Sequence, residues 1–533
     1  MGKRKINFEI FLTDNTNHRR NAKNEIKKRF RGKLKCLFNA ENPLEEARFF
    51  QMAIRCDERE AWDIARSMIK IQGVLDVDPD VEDDSNNIPE VEDELTDGRP
   101  SPMWFHDNIK IKEAVRYALE AFEKGEGGFS GTATGIRMAQ FDTGYTKHPE
   151  IREIRNELGY NYVYTLLDRI FSLFRGRPSE RDALDRLRNF KPFKWAAHGT
   201  ATAGVIIGRT TDGKSGDKEF PDRADGIFPY VDLIPYRISE TIISFNCKMA
   251  HAAHQAIRDN CKIITMSHAG LLRKRSWREA VREAYEAGII WVAAGGSHVP
   301  NFGKIWLYPA RFPETIATSA STYENKPWEK TFSGKAIDIS APGFDMYIPF
   351  SRKKGKFKYR WSEGTSFSTP ITAAAAAFWL AHHGENKLSS LYQKGWQRVE
   401  AFRKVLKDSS LKPEGWETDK YGEGILDVEQ LLRTPLPPAE TLRHVDAPQE
   451  AVEDLSSEEE FEEMITNKEI TYLTCREKVC NKHHDDHGLY QQVMDSASEK
   501  TKVKISHVCD LEGEEKNEQL KQHVKAYAGR WGF

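Results

Sequence analysis

Three short stretches of the chain carry side chains that could act together in nucleophilic catalysis. Asp142 lies in Phe-Asp-Thr-Gly, His198 opens His-Gly-Thr-Ala-Thr-Ala-Gly, and Ser366 lies in Gly-Thr-Ser-Phe-Ser-Thr-Pro. A serine hydroxyl becomes a nucleophile when a neighbouring imidazole takes its proton, and a carboxylate can hold that imidazole in the correct orientation. These residue types therefore predict acyl transfer, with Ser366 as nucleophile, His198 as base and Asp142 as the group that orients the base.

Two of these side chains are predicted to lie at the ends of regular elements. Asp142 closes a strand that begins near Ile136, where amide donors can fix a carboxylate. Ser366 stands just ahead of Pro370 and an alanine-rich run, a pattern that predicts the start of a buried helix. The positive end of such a helix stabilises developing negative charge, as acyl transfer requires.

The Asp-Thr-Gly stretch is open to a second interpretation. It is also the signature of aspartic proteases, in which two such carboxylates share one proton. The sequence has no second copy, so a homodimer would have to supply one. That interpretation also leaves the histidine and serine stretches unexplained, and the serine mechanism is therefore preferred.

The pattern of apolar residues predicts two folded units. Over residues 100–435, short apolar runs such as Ile263 to Met266 alternate with helical stretches, which indicates an α/β fold with a mostly parallel sheet and helices on both faces. Residues 1–82 have the order βαββαβ, which predicts a small ferredoxin-like α+β domain. Within it, Asp57 and Glu60 form a predicted capping box at a helix start.

The remaining segments are polar. Residues 83–99 are predicted to be an acidic linker, because the span from Asp76 to Asp97 holds eleven acidic residues and no basic ones. Residues 436–533 are predicted to be a polar C-terminal extension of unknown role. Residues 1–35 carry twelve Lys and Arg against three Asp and Glu. We interpret these charges as solvated helix faces, although a nucleic-acid-binding arm is the alternative that salt-sensitive binding would reveal.

Composition points to a cytoplasmic protein without nucleic-acid or membrane partners. The net charge of −2 gives no overall attraction to either surface, and no apolar run approaches the roughly 20 residues of a membrane span. The amino terminus lacks the apolar stretch of a secretory signal. Seven thinly spread cysteines do not resemble a disulfide framework, and a reducing compartment is expected.

Taken together, the three stretches resemble the subtilisin-like serine proteases, or subtilases, whose triad runs in the order Asp, His, Ser. The resemblance covers about residues 100–435, and residues 1–82 resemble the family's propeptide more weakly. It implies a serine endopeptidase, made as a zymogen, that hydrolyses protein or peptide substrates through an acyl-enzyme. No cofactor is implied for the chemistry, and a requirement for structural calcium is left open.

The resemblance also implies a substrate-binding strand and an oxyanion hole. Ile263 to Ser267 resembles an edge strand that pairs with the substrate backbone, so the expected substrate contacts are Met266, Ser267, His268, Ala269 and Gly270. Where the family has Asn after Ala-Ala-Gly, this chain has Gly296. Losing that oxyanion donor typically lowers the rate by about 10²–10³. Thr365, Gly296 and Asn301 are the candidate oxyanion positions, and a scaffold that binds extended peptides without cutting them is the alternative function.

A cluster of cysteine and histidine residues lies near the carboxyl terminus. Cys475, Cys480, His483 and Cys509 have spacings within reach of a zinc site. Thiols and surface histidines without a metal are the preferred interpretation, and no metal site is predicted.

Overall fold

A computed structural model describes the chain in the following segments. They are residues 3–36, 48–81, 99–132, 134–163, 182–185, 197–209, 225–242, 248–270, 273–299, 303–304, 307–353, 356–445 and 458–480, with a few positions between 493 and 522.

The N-terminal domain is a four-stranded antiparallel sheet with two helices. Its elements are β1 (Arg4–Leu12), α1 (Thr16–Arg29), β2 (Lys35–Cys36), β3 (Phe49–Cys56), α2 (Glu58–Ile69) and β4 (Val74–Pro79). The strand order β2-β3-β1-β4 confirms the ferredoxin-like prediction. Helix α2 begins at the predicted capping box, because the Glu60 N–H donates to Asp57 Oδ1 over 2.9 Å and the Asp57 N–H donates to Glu60 Oε2 over 3.0 Å.

The larger unit contains the remaining strands. They are β5 (Arg137–Asp142), β6 (Tyr160–Asn161), β7 (Asp232–Arg237), β8 (Ile263–Met266), β9 (Ile290–Ala294), β10 (His298–Val299), β11 (Gly303–Lys304), β12 (Ile316–Ser321), β13 (Ile339–Pro342), β14 (Met346–Lys353) and β15 (Lys356–Ser362). Seven of them form one sheet in the order β13-β12-β9-β8-β5-β7-β6, and every pairing in it is parallel. The predicted mostly parallel sheet is thus confirmed.

Helices cover both faces of this sheet. They are α3 (Trp104–Asn108), α4 (Ile111–Glu123), α5 (His198–Ile207), α6 (Lys248–Arg258), α7 (Arg275–Glu286), α8 (Thr365–His383), α9 (Glu385–Leu391), α10 (Gly395–Asp408), α11 (Thr418–Tyr421) and α12 (Val428–Arg433). Successive strand residues point into opposite cores: Ile263 and Ile290 pack with α5 and α8, whereas Ile264 and Trp291 pack with α6 and α7. This explains why the central strands are apolar on both faces.

The C-terminal part of the chain also packs against the rest. Contacts with the larger unit continue past residue 435, since the His444 ring lies edge-on to Tyr285 with centroids 5.4 Å apart. A further helix, α13 (Glu458–Cys480), packs against α2 of the N-terminal domain. The polar composition of residues 436–533 did not predict this contact. None of the helices in the described segments has the length and hydropathy needed to cross a bilayer.

Candidate active site

Asp142 is the last residue of β5, and its carboxylate is buried and fully engaged. Its Oδ1 accepts hydrogen bonds from the Thr143 N–H and from His198 Nδ1, both over 2.7 Å, and its Oδ2 accepts one from Thr202 Oγ1 over 3.0 Å. Only 2% of Asp142 is exposed. Burial by itself would raise the pKa of Asp142, but the His198 charge and these hydrogen bonds together hold that pKa below its usual range. The site therefore keeps a carboxylate charged beneath an imidazole.

His198 is the first residue of α5, and the small residues after it allow the helix to approach β5 closely. A Cβ on Gly199 would lie 2.0 Å from the carbonyl oxygen of Gly144, so no larger residue fits beside the histidine. One helical turn later, Thr202 lies on the same face as His198, because residues four apart in a helix are neighbours. Both side chains consequently reach the Asp142 carboxylate.

A second layer of hydrogen bonds, which sequence reasoning missed, holds these groups in place. Gln140 Nε2 donates to the Gly199 carbonyl over 2.7 Å and to Thr202 Oγ1 over 2.8 Å. The Thr202 hydroxyl can then direct its own proton to Asp142. Two spacings in the sequence could have indicated these hydrogen bonds. Gln140 lies two residues before Asp142 on the same strand face, and Thr202 lies four residues after His198 on the same helix face.

Ser366 is the second residue of α8, as the pattern ahead of Pro370 predicted. Pro370 is the sixth residue of the helix, and it lacks the N–H that would otherwise bond the Ser366 carbonyl. Ser267 Oγ donates to that carbonyl instead, over 2.8 Å. Ser267 directly follows β8, whose Met266 pairs with Phe141 of β5. This bond thus fixes the backbone of Ser366 at the same end of the sheet as Asp142.

The prediction that β8 is an edge strand, free to pair with the substrate backbone, is wrong. Strand β8 lies in the middle of the sheet, between β5 and β9, so Met266 has strand neighbours on both sides. Beyond it, the Ala269 N–H donates to the Ile242 carbonyl over 2.9 Å, and Gly270 and Tyr308 exchange two backbone hydrogen bonds of 2.9 Å. Backbone groups that a substrate strand would need at Ala269 and Gly270 are thus occupied in this arrangement.

His268 is not the exposed pocket wall that the resemblance implied. Only 1% of it is exposed, and it hydrogen-bonds to the backbone of Thr241. Burial lowers the pKa of His268 to about 4, while the nearby charges of Asp142 and His198 act in opposite directions. His268 is therefore a neutral, buried neighbour of the acid and base.

The oxyanion candidates are placed only in part. Thr365 is buried at the start of α8, and its carbonyl accepts a hydrogen bond from Thr369 Oγ1. Gly296 has a φ of +106°, and its carbonyl accepts from the Phe332 N–H over 2.8 Å. Asn301 lies outside the described residues.

The four candidate zinc ligands lie in the C-terminal segment, where the structure describes none of their side chains. Cys475 and Cys480 belong to the α13 backbone, but their side chains, together with His483 and Cys509, lie outside what the structure describes. Across the segments given above, no group of three or more His, Cys, Asp or Glu side chains is arranged to hold a metal ion.

A buried acid that is hydrogen-bonded to an imidazole, together with a serine at a helix start held at the same end of a parallel sheet, is typical of a serine hydrolase. The sequence profile of the subtilase family matches residues 134–427. This match covers more than half of the 533 residues, so the chain belongs to the subtilase family.

Curated relatives agree with this family and carry protease names. Thermostable alkaline protease of Halalkalibacterium halodurans is 25% identical over 312 residues, covering 56% of this chain and 74% of the relative. Subtilisin Savinase of Lederbergia lenta is 25% identical over 303 residues, covering 57% and 92%. Alkaline elastase YaB of Bacillus sp. is 27% identical over 310 residues, where the chain spans 66% of the relative's length. Family and names together confirm the predicted class, a subtilisin-like serine endopeptidase.

Proposed function

We propose that the chain hydrolyses peptide bonds within protein substrates through Ser366, His198 and Asp142 and an acyl-enzyme intermediate. The observation that carries the proposal is the 2.7 Å bond between His198 Nδ1 and the buried Asp142 carboxylate. With Nδ1 bonded to Asp142, Nε2 is the ring nitrogen to which the proposed mechanism assigns the serine proton. The bond from Ser267 to the Ser366 carbonyl supports this role, because it holds the serine at the same end of the sheet.

The proposed reaction proceeds in two halves. Ser366 Oγ attacks the scissile carbonyl carbon while its proton passes to His198 Nε2, and Asp142 stabilises the imidazolium that forms. The tetrahedral intermediate collapses as His198 returns the proton to the leaving amine, which leaves an ester on Ser366. Water then attacks that ester while His198 takes one of its protons, and His198 passes this proton to Ser366 Oγ as the carboxylic acid leaves. Protein groups carry each proton, so the proposed chemistry uses no cofactor.

The N-terminal domain is proposed to act as a propeptide that the enzyme cuts from itself. Two features support this role: its βαββαβ order, and its apolar contact with the catalytic domain at Ala269 and Leu307. The proposed cleavage point lies between Val81 and Met103, where residues 82–98 fall outside the described segments. A reducing cytoplasmic location remains a prediction.

A scaffold that binds extended peptides without cutting them is the second candidate function, and Gly296 is the observation that favours it. The test compares the N-terminus of the purified wild type with that of Ser366→Ala by intact mass. We expect a truncated wild type and an uncut variant. An active wild type that stays whole would show that the N-terminal domain is a permanent accessory. Identical truncation of both proteins would rule out cleavage by Ser366.

A further inference from the structure

The N-terminal domain is held between two distant parts of the chain. One apolar cluster contains its core residues, such as Phe8, Met52 and Val77, and also side chains contributed from elsewhere. The catalytic domain contributes Ala269 and Leu307, and the C-terminal segment contributes Met464, Ile465, Ile470, Tyr472, Leu473, Val493 and Ala497. The N-terminal domain therefore shares its hydrophobic core with both neighbours.

On the catalytic side, one lysine binds two carboxylates of the N-terminal domain. Lys274, just before α7, lies 2.7 Å through Nζ from Glu9 Oε1 and 2.7 Å from Asp80 Oδ1. Only about 5% of the Lys274 side chain is exposed. Beside it, the guanidinium of Arg275 lies 4.1 Å from the centroid of the Phe11 ring. Charge and aromatic contacts thus fix the N-terminal domain on the first turn of α7.

On the C-terminal side, a second lysine makes the equivalent contact from α13. Lys468 Nζ lies 2.6 Å from Asp76 Oδ1 and 2.7 Å from Asp78 Oδ1, and 3% of its side chain is exposed. The Tyr472 hydroxyl donates to the Val81 carbonyl over 3.0 Å. Lys468 and Tyr472 together hold the end of β4 and the last described residue before the proposed cleavage segment.

A buried cation on α2 completes the contact with the C-terminal segment. Arg66 pairs with Glu469 through Nη2, and its Nη1 donates to Ser498 Oγ over 2.9 Å. Glu469 in turn accepts from the Ser498 N–H over 2.7 Å. The indole of Trp62 packs on the Tyr472 ring with centroids 5.9 Å apart. Every charge in this group is buried and has an opposite charge beside it.

We propose that α7 and α13 together form a composite docking surface whose partner is the excised N-terminal domain of the same chain. Cleavage after Val81 breaks the covalent link but none of these contacts. Removing one partner of a buried ion pair typically weakens an interaction by about 3–5 kcal/mol, which corresponds to about 10²- to 4 × 10³-fold in binding. Helix α13 therefore acts as a latch that retains the cut domain, and the inhibition that results rests on the proposed function.

The test separates the latch from the protease by letting an added enzyme make the cut. A recognition site for a sequence-specific protease is placed within residues 83–97 of the Ser366→Ala chain, and dissociation of the cut N-terminal fragment is followed by gel filtration and mass spectrometry. We expect the parent to retain the fragment. Lys468→Met should release it about 10²-fold faster or more. The matched control is Lys404→Met, which removes an ion pair with Asp408 whose partners are each 49% exposed, and it should change release less than about threefold.

A milder variant keeps the test informative if Lys468→Met fails to fold. Tyr472→Phe removes only the hydrogen bond to Val81, and release should quicken by about fivefold. Release from Lys468→Met and Tyr472→Phe at the parent rate would overturn the latch. Because Ser366 is absent throughout, that result would leave the proposed peptidase untouched, whereas an inactive wild type with a working latch would refute the peptidase alone.

Discussion

Two groups of buried carboxylates in this chain have pKa values shifted in opposite directions. Asp142 receives one imidazole and several neutral donors, and its pKa is held low. Asp76 and Asp78 share a single lysine, and burial raises the pKa of Asp78 to about 6. The surroundings of Asp142 thus favour its charged form, whereas those of Asp78 favour its protonated form. Catalysis and docking should therefore respond differently to substitutions and to pH.

The largest effect is expected from the catalytic group itself. His198→Ala should lower kcat by about 10⁶-fold, because members of a triad act as a unit. Asp142→Asn should lower it by about 10⁴-fold, since the amide stabilises the wrong imidazole tautomer. Peptide hydrolysis measures both, and circular dichroism checks that each variant folds. A variant with half of the wild-type rate would show that the residue has no such role.

The docking surface should lose stability as the pH rises, unlike the triad. The pKa of Glu9, which faces Lys274, Asp80 and His251, is raised to about 7 by burial. The pKa of Asp78 is raised as well, with Lys468, Asp76, Lys274 and Glu9 around it. A carboxyl with a raised pKa in the folded chain holds its proton more tightly there, so its contribution is full at low pH and is lost as the pH rises through the raised value.

We therefore expect the unfolding equilibrium of the Ser366→Ala chain to shift toward the unfolded state by at least about 100-fold between pH 4 and pH 7, from these two groups together. Urea titrations at several pH values measure the shift. The double variant Glu9→Gln, Asp78→Asn is the control, and its profile should be flatter over the same range. Parallel profiles for the two proteins would contradict the assignment.

A smaller effect is expected from the hydroxyl that supports Asp142. Thr202→Val keeps the shape of the side chain but removes the donor to Asp142 Oδ2, and kcat should fall by about 10- to 100-fold. KM should change little, because Thr202 is buried behind the carboxylate. Thr202→Ser retains the hydroxyl and should recover most of the rate. Equal losses in the Val and Ser variants would point to packing rather than to the hydrogen bond.

The bond to the Ser366 carbonyl offers a test with an internal rescue. Ser267→Ala leaves that buried carbonyl without its donor, and kcat should fall by about tenfold. Adding Pro370→Ala restores a backbone N–H four residues after Ser366 and should recover part of the loss. If the double variant is no faster than Ser267→Ala, the bond does not position the serine.

The smallest effect concerns Gly296. Its φ of +106° disfavours any side chain, with a cost on the order of 1–2 kcal/mol. Gly296→Ala and Gly296→Asn both place a Cβ at this positive φ, and only the Asn variant adds an amide donor. We expect both to fall below the wild-type kcat, by up to about tenfold. An Asn variant faster than the wild type would show that the oxyanion donor was missing and that the backbone accepts it.

The sequence predicted the pairing of Asp142 with His198 and the two sheets, because their signals are local. Asp142, His198 and Ser366 each lie in a short motif, and apolar runs mark the strands. The order of strands in a sheet is not a local property. An apolar run such as β8 has the same sequence pattern at the edge of a sheet as in its centre, and the prediction of an edge strand was wrong for this reason. The sequence did not predict the contact between α13 and the N-terminal domain, because Lys468 and Asp76 lie 392 residues apart and charged helices are usually exposed.

The most direct test of the serine mechanism is covalent labelling. The purified chain is treated with a fluorophosphonate probe, both whole and after an added sequence-specific protease has cut a recognition site placed within residues 83–97 and the N-terminal fragment has been removed. The modified residue is located by peptide mass spectrometry. The probe should attach to Ser366, more readily once the N-terminal domain has left, and Ser366→Ala should stay unlabelled. A wild type that remains unlabelled after loss of the N-terminal domain, or a label on another serine, would contradict the assignment of Ser366 as the nucleophile.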